Sequence, residues 1–477
     1  MSSVKSYLPF NLPTTFKSLF KLIDDPPERI QNVRGWVKSF RLLKKVAFID
    51  LQDGTTPHTL KIVVPRDTID VERRPDSVLR QLRTGQSLLV KDALWKPTPT
   101  RLQPFELETS AASFQIMGQV PDSYALQKKF HTLAFLRSNP TLKHRSNYLG
   151  ALMRFRSHVE SSLTQFFDSH DFTKVSPPIL TSGDCEGAGE LFRVESNSHL
   201  ANKSSYFGKK TYLTVSTQLH LEVLACALNR CWTLAPCFRA EESDTNRHLS
   251  EFWMLEAELC FVENVGELTL IAEAMFKFVV EQCIARQADL LPSIRPEGSA
   301  EDAQTVLARW TSLLATAWPR LTYSAAIELL TKRHAEVPFK FTPQWGSDLQ
   351  SEHEKWLASH FDSPVFITNY PKDCKAFYMK RNLDDTVACF DLIVPQMGEI
   401  IGGSIREDNY DALIAEMSRR GMKVEELEWY ASLRKNGSVP HGGFGLGMER
   451  FVAWLFGAHN IRDAIPFHRS AGGSIDM

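Results

Sequence analysis

The sequence predicts an α+β protein in two parts, a small N-terminal β barrel followed by a larger body of strands and helices. Three observations carry that expectation. Between about 30 and 120, short alternating runs (VRGWVKSF, KKVAFIDLQDGT, HTLKIVV, TGQSLLVKDALW, FELETSAASFQIMG) are separated by Gly and Pro turns, the pattern of half-buried strands in a small closed sheet. Beyond 147 the apolar period lengthens to that of helices. Charge divides the chain at about the same place: residues 1–150 hold 23 Lys+Arg against 13 Asp+Glu and the remainder 32 against 43, although the 477 residues together carry a net charge of −1.

Taken in order, residues 1–25 form a leader with Lys5, Lys17 and Lys21 and no acid before Asp24, a composition that suits a mitochondrial targeting helix and equally a plain flexible leader. The barrel is expected over 26–120. Its basic charge points to a polyanion, and a five-stranded barrel is a platform for single-stranded nucleic acid. Phe40 and Phe48 are available there to stack on bases or to fill the core. A polar, charged connector, LQKKFHTLAFLRSNPTLKHRSN, makes 121–147 a hinge. In the body, 148–477, LMRFRSHVESSLTQFFDSHDF places Phe155, Val159, Leu163, Phe166 and Phe167 on one helix face and leads into the strand-like KVSPPILT. The eight cysteines include no C-x-x-C pair and no Cys/His cluster at zinc spacing, so free thiols in a reducing compartment are expected. No stretch approaches the roughly 18 to 20 uninterrupted apolar residues of a membrane helix, and no membrane partner is expected.

Three segments of the body carry chemistry. FRAEE and RHLSEF set Arg239 and Arg247 beside Glu241 and Glu251; guanidinia fork onto phosphate oxygens and carboxylates orient them, although the same alternation also makes ordinary cross-strand pairs. Asp391 and Glu399, on strand-like text ending in Gly-Gly, could hold Mg²⁺ against a nucleotide. GGFGLGMER has glycines that admit a nucleotide close to the backbone, then Arg450 in the first turn of a helix; its spacing is neither that of a P-loop nor that of a dinucleotide fingerprint.

In this order the segments resemble the class II aminoacyl-tRNA synthetases: the helix into KVSPPIL is similar to their motif 1, FRAEE to FWMLEAEL to motif 2, and GLGMER to motif 3. A barrel before the catalytic body resembles the aspartyl, asparaginyl and lysyl subgroup. DCEGAGELF, LTVSTQLHLE, KAFYM, GEIIGGSIRED and NIRDAIPF resemble the asparaginyl family in particular, including its mitochondrial form. The resemblance implies an OB-type barrel that reads the anticodon, with Lys38, Phe40, Phe48 and Lys61 as candidate contacts, and an antiparallel catalytic sheet flanked by helices. It implies ATP bound bent, with Arg239 on the α-phosphate, Arg450 on the γ-phosphate, Phe252 against adenine, Arg247 and His248 near the pyrophosphate, and Glu241, Leu249, Glu399, Gly447 and Glu449 completing the site. Mg²⁺ would rest on Asp391 and Glu399.

For the amino acid, the resemblance implies that Glu186 and Gln218 take the α-ammonium while Arg406 reaches the side-chain carbonyl. The aspartyl enzymes carry a lysine where Leu221 stands and an aspartate where Glu256 stands. A carboxamide needs a donor for its oxygen and an acceptor for its NH₂, and Arg406 with Glu256 supply both. The expected activity is therefore ATP-dependent charging of tRNA(Asn) with L-asparagine by a homodimer joined through motif 1, with no DNA partner. An aspartyl enzyme, including one that charges both tRNAs, and a synthetase-like paralogue making asparagine are the alternatives. The acid-free leader implies the mitochondrial matrix, with the cytoplasm as alternative.

Overall fold

The computed structural model describes residues 12–65, 78–101, 103–183, 190–201, 204–243, 245–292, 295–296, 298, 300–473 and 475. They form two compact units, the first from residues up to 154 with 288–296, the second from 155–287 with 297–477.

In the first unit, strands β1 (Arg29–Leu42), β2 (Ala47–Gln52), β3 (Leu60–Val64), β4 (Ser87–Pro97), β5 (Phe105–Glu108) and β6 (Phe114–Gly118) follow the order β1-β2-β3-β5-β4-β6, and an additional β1–β4 pairing closes the first five into a barrel. Closure leaves β6 as an added strand on β4 and removes most of the open edge that a flat sheet would expose. Alternation decides which side chains fill the interior: in β2, Ala47, Ile49 and Leu51 are buried while Phe48, Asp50 and Gln52 face outward. Trp95 stacks on Phe105 at 3.7 Å inside.

The expected leader is in part folded. Thr15 caps a short helix, Phe16–Leu19, whose Phe16 and Leu19 are fully buried in the barrel core. The Phe16 backbone N–H donates to Asp53 at 2.6 Å. A Cβ at Gly35 would stand 2.9 Å from the Phe16 ring, so glycine is what lets this helix close onto β1. Residues 1–11 lie outside the described part. Within the stretch read as a hinge, Leu133–Arg137 is a short helix capped by Thr132.

In the second unit eight strands form one sheet, in the order β13-β14-β15-β16-β17-β12-β11-β7, where β7 is Thr173–Lys174, β11 Arg230–Phe238, β12 Glu251–Cys260, β13 Arg320–Thr322, β14 Val365–Thr368, β15 Cys389–Val394, β16 Gly398–Ile405 and β17 His441–Gly447. The six from β14 to β11 are antiparallel, with one parallel pairing at each end. A separate three-stranded sheet, β8 (Leu180–Thr181), β9 (Arg193–Val194) and β10 (Thr211–Leu213), is centred on β10. One side of the large sheet is covered by the helix Val265–Ala285, whose Leu268, Ala272, Met275, Phe276 and Val279 are buried. No helix among the described residues is long and apolar enough to cross a membrane.

Candidate active site

The open face of the large sheet is floored by glycine. On β17 the alternate residues Gly443, Gly445 and Gly447 pair with Glu258, Glu256 and Met254 of β12, and Gly402 and Ser404 of β16 pair with Gly445 and Gly443. Registered neighbours point to one face. β12 thus raises a row of side chains, Phe252, Met254, Glu256 and Glu258, beside a strip with almost none. The room is tight as well as open, since a Cβ at Gly443 would collide with the Glu258 carboxylate and the Ala257 carbonyl.

Two cavities lie along this face. One, of about 270 Å³, is lined by Arg239, Glu241, Arg247, His248, Leu249, Phe252, Met254, Glu399, Gly447, Glu449 and Arg450 among others; every residue proposed from the sequence for ATP is on its wall. The other, of about 180 Å³, is bounded by Gln218, Leu221, Glu256, Glu258, Lys375, Tyr378, Asp391 and Arg406. The two share Arg239, Met254, Glu399 and Gly445. Glu186 lies outside the described residues.

In the larger cavity three guanidinia, those of Arg239, Arg247 and Arg450, are gathered with the carboxylates of Glu241, Glu399 and Glu449. The Arg239 guanidinium lies 5.5 Å above the Phe252 ring, and Arg450 Nη1 donates to the Glu399 carbonyl at 3.0 Å. Burial, then the charge of Arg450, lowers both the Arg247 guanidinium and the His248 imidazole from their ordinary ranges. Cations that repel one another in a half-buried cleft define an anion site. Glu449 plays a part that the sequence did not suggest. It is buried, accepts from Arg156 Nη1 at 2.7 Å and from the Trp253 N–H at 3.0 Å, and so ties the first turn of the helix Met448–Phe456 to β12 beneath Arg450.

Asp391 and Glu399 are brought together by a bulge. Pairing passes from Leu392–Ile401 to Ile393–Glu399, leaving Ile400 extra, and such a bulge re-aims the side chains beyond it. The two carboxylates converge over Gly402, where a Cβ would lie 3.1 Å from Glu399 Oε1 and 3.6 Å from Asp391 Oδ1. Lys375 Nζ reaches Asp391 at 2.6 Å. Glu354 accepts from the Glu399 N–H at 3.2 Å and is pushed up to about 7, first by burial and then by Glu399. Among the described residues no group of three His, Cys, Asp or Glu is arranged to enclose a metal. Two carboxylates with an excess of negative charge nevertheless fit Mg²⁺, which takes one or two protein oxygens and completes its shell with water and phosphate.

The smaller cavity rests on a buried ionic network. Arg406 is forked onto Glu258, Nε to Oε1 at 3.1 Å and Nη2 to Oε2 at 2.9 Å, with Nη1 on Ser404 Oγ at 2.7 Å. Glu256 accepts from the Thr217 N–H at 2.9 Å and from the hydroxyls of Ser216 and Thr217, so it also anchors the start of the helix Gln218–Leu228. Glu222, on that helix, is fully buried. It accepts from Arg434 Nη2 at 2.6 Å, from Tyr430 Oη at 2.8 and 2.9 Å, from His441 Nε2 at 3.1 Å and from Gln218 Nε2 at 3.0 Å. Burial alone would raise this carboxyl, but Arg434 and His441 outweigh it and hold it low. Glu222 and Glu258, with Lys375, Arg434 and His441, were not singled out from the sequence; the single acid of LTVSTQLHLE and the paired acids of FWMLEAEL were the available signal.

On the barrel, Phe40 packs against the core, whereas Phe48 faces outward with the Arg41 guanidinium 5.6 Å above its ring. Lys38 lines a groove with Trp36, Lys128, Lys129 and Arg145, and burial lowers its ammonium. Lys61 lines a different groove, with Lys17, Lys21 and Arg101.

A glycine-floored antiparallel sheet with arginines lining one cavity and a buried ionic network behind the next has room and charge for a nucleotide's phosphates beside a small polar molecule. The family described as tRNA synthetases class II (D, K and N) matches residues 134–471, and the chain belongs to it. An asparagine–tRNA ligase, mitochondrial, of Saccharomyces cerevisiae is 55% identical over 97% of this chain and 96% of its own length. An asparagine–tRNA ligase of Microcystis aeruginosa is 43% identical over 96% and 99%. Among solved structures, asparaginyl-tRNA synthetase from Pyrococcus horikoshii complexed with asparaginyl-adenylate superimposes with a TM-score of 0.82 at 29% identity, covering 97% of this chain and 99% of that one.

Proposed function

We propose that the chain is an asparagine–tRNA ligase that forms asparaginyl-adenylate from L-asparagine and ATP and then charges tRNA(Asn). The observation that carries the mechanism is the shared wall of the two cavities. Asparagine held between Gln218 and Arg406 and ATP held between Phe252 and Arg450 meet at Arg239 and Glu399, where a carboxylate oxygen attacks the α-phosphorus. No covalent enzyme intermediate is needed. Arg239 stabilises charge on the α-phosphate, and Arg247, His248 and Arg450 stabilise the departing pyrophosphate. Asp391 and Glu399 would hold Mg²⁺, which neutralises phosphate charge when bound. The 3′-terminal hydroxyl of tRNA then attacks the adenylate carbonyl and releases AMP.

Aspartate suits this cavity poorly. It would set a second carboxylate oxygen near Glu256, with Leu221 offering no cation to balance it. Measured side by side by ATP–pyrophosphate exchange, asparagine is expected to exceed aspartate by about a thousandfold in kcat/KM, the scale for a polar site meeting the wrong partner. Equal activation of both would instead identify an aspartyl enzyme. Pairing into a homodimer along motif 1 accords with apolar side chains left exposed near it, Ile179, Leu180, Val223, Leu228 and Phe261; sedimentation at twice the chain mass is the expected result. The mitochondrial reading rests on the leader composition and on the yeast relative.

A further inference from the structure

We infer that Glu222 is a positioning residue that fixes the orientation of the Gln218 carboxamide, so that Gln218 offers its carbonyl oxygen, and not its amino group, to the amino end of the substrate. This rests on the asparagine pocket proposed above.

The argument begins with what a carboxylate is able to do. Ionised, it only accepts hydrogen bonds, through about four lone-pair sites. Gln218 Nε2 lies 3.0 Å from Glu222 Oε1; an amide turned the other way would set two oxygens face to face. The NH₂ is therefore committed to Glu222, and the carbonyl oxygen is left for the cavity that Gln218 lines. An α-ammonium has three N–H donors and no acceptor, so this orientation receives it and the flipped one repels it.

Glu222 is able to dictate the choice because it cannot turn. Its remaining sites are taken by Arg434 Nη2, Tyr430 Oη and His441 Nε2. His441 Nδ1 meets the Val439 carbonyl at 2.8 Å, so both ring nitrogens face acceptors and both carry protons. Arg434 is fixed in turn by Nε on the Glu407 carbonyl at 2.8 Å. The same Glu222 Oε1 stands 3.8 Å from Arg406 Nε. One buried carboxylate thus references the groups assigned to both ends of the amino acid.

The test compares asparagine with succinamate, which is asparagine without its amino group, as an inhibitor of asparagine-dependent exchange. The ratio of succinamate Ki to asparagine KM measures how far the amine is recognised. In Glu222→Gln the amide at 222 both donates and accepts, Gln218 is free to turn, and the ratio is expected to fall about tenfold or more, the scale of a hydrogen bond to a charged group, with the KM for ATP unchanged. The double variant Gln218→Glu with Glu222→Gln loses the same ion pair to Arg434 but restores an acceptor-only group at 218, and the ratio is expected to recover. A purely structural role would leave both variants equally impaired. Should Glu222→Gln fail to fold, Tyr430→Phe, which removes one of the donors holding Glu222, is read in its place and is expected to lower the ratio a few-fold. An unchanged ratio in Glu222→Gln, or in Tyr430→Phe where that is the variant read, or a double variant no better than the single one, overturns the inference. Absence of asparagine-dependent exchange in the unmodified protein overturns the pocket reading itself, and the inference with it.

Discussion

Arg239 and Arg450 both line the cavity proposed to hold ATP, one above Phe252 and the other tied to the Glu399 carbonyl, and neither holds a core together. Replacing either by alanine is expected to lower pyrophosphate exchange at least about a hundredfold, the scale for removing a charge that stabilises developing phosphate charge, while the melting temperature stays close to that of the unmodified protein. These two residues were readable from the sequence because arginines within glycine-rich or acid-rich local motifs announce themselves over a few positions. Glu222 was not. Gln218 and Glu222 are four apart on a helix and look like any surface pair, and the arginine that makes the acid a buried ion lies 212 residues further on. Glu256 was legible as a pocket residue, but its hold on Ser216 and Thr217 was not, since that depends on which helix start the fold delivers to β12.

At the level of elements, alternation and helical period made the barrel strands and the helix Asn147–Ser169 legible, while the order of the eight strands was not, because pairings such as β12 with β17 join segments far apart in the chain. Long-range ion pairs fix several of those segments, and one of them has a pH signature. Glu416, on the helix Tyr410–Arg419, accepts from Arg419 at 2.7 and 2.9 Å and from Arg420 at 2.6 Å, and also from Arg381. Burial opposes ionisation, but the three guanidinia win and depress the carboxyl from 4.5 to about 2. A depressed carboxylate adds stability above its unfolded pKa and loses it as pH falls through the folded one. Glu416→Gln should therefore melt at a lower temperature than the unmodified protein at neutral pH, with the gap closing between about pH 4.5 and 2. A gap that is constant with pH would show that packing, and not charge, is what Glu416 contributes.

Across the whole molecule the basic charge gathers in the first 150 residues and the acidic charge in the rest, and the proposed function assigns polyanion binding to the one and chemistry to the other. Lys38→Glu and Lys61→Glu are expected to weaken tRNA charging while pyrophosphate exchange stays within twofold. Each lost phosphate contact should also flatten the dependence of log affinity on log salt by about 0.7 to 0.9; charging that is unaffected at low salt would place tRNA selection on other residues. The burial of Phe16 and Leu19 in the barrel core carries a last consequence, for the maturation of the chain. Under the mitochondrial reading proposed above, a protease that trims the N-terminus after import has to stop before Thr15, because removing either buried side chain leaves a hole that costs about 2 to 5 kcal/mol. The mature protein, weighed by intact mass spectrometry, should therefore begin no later than Thr15.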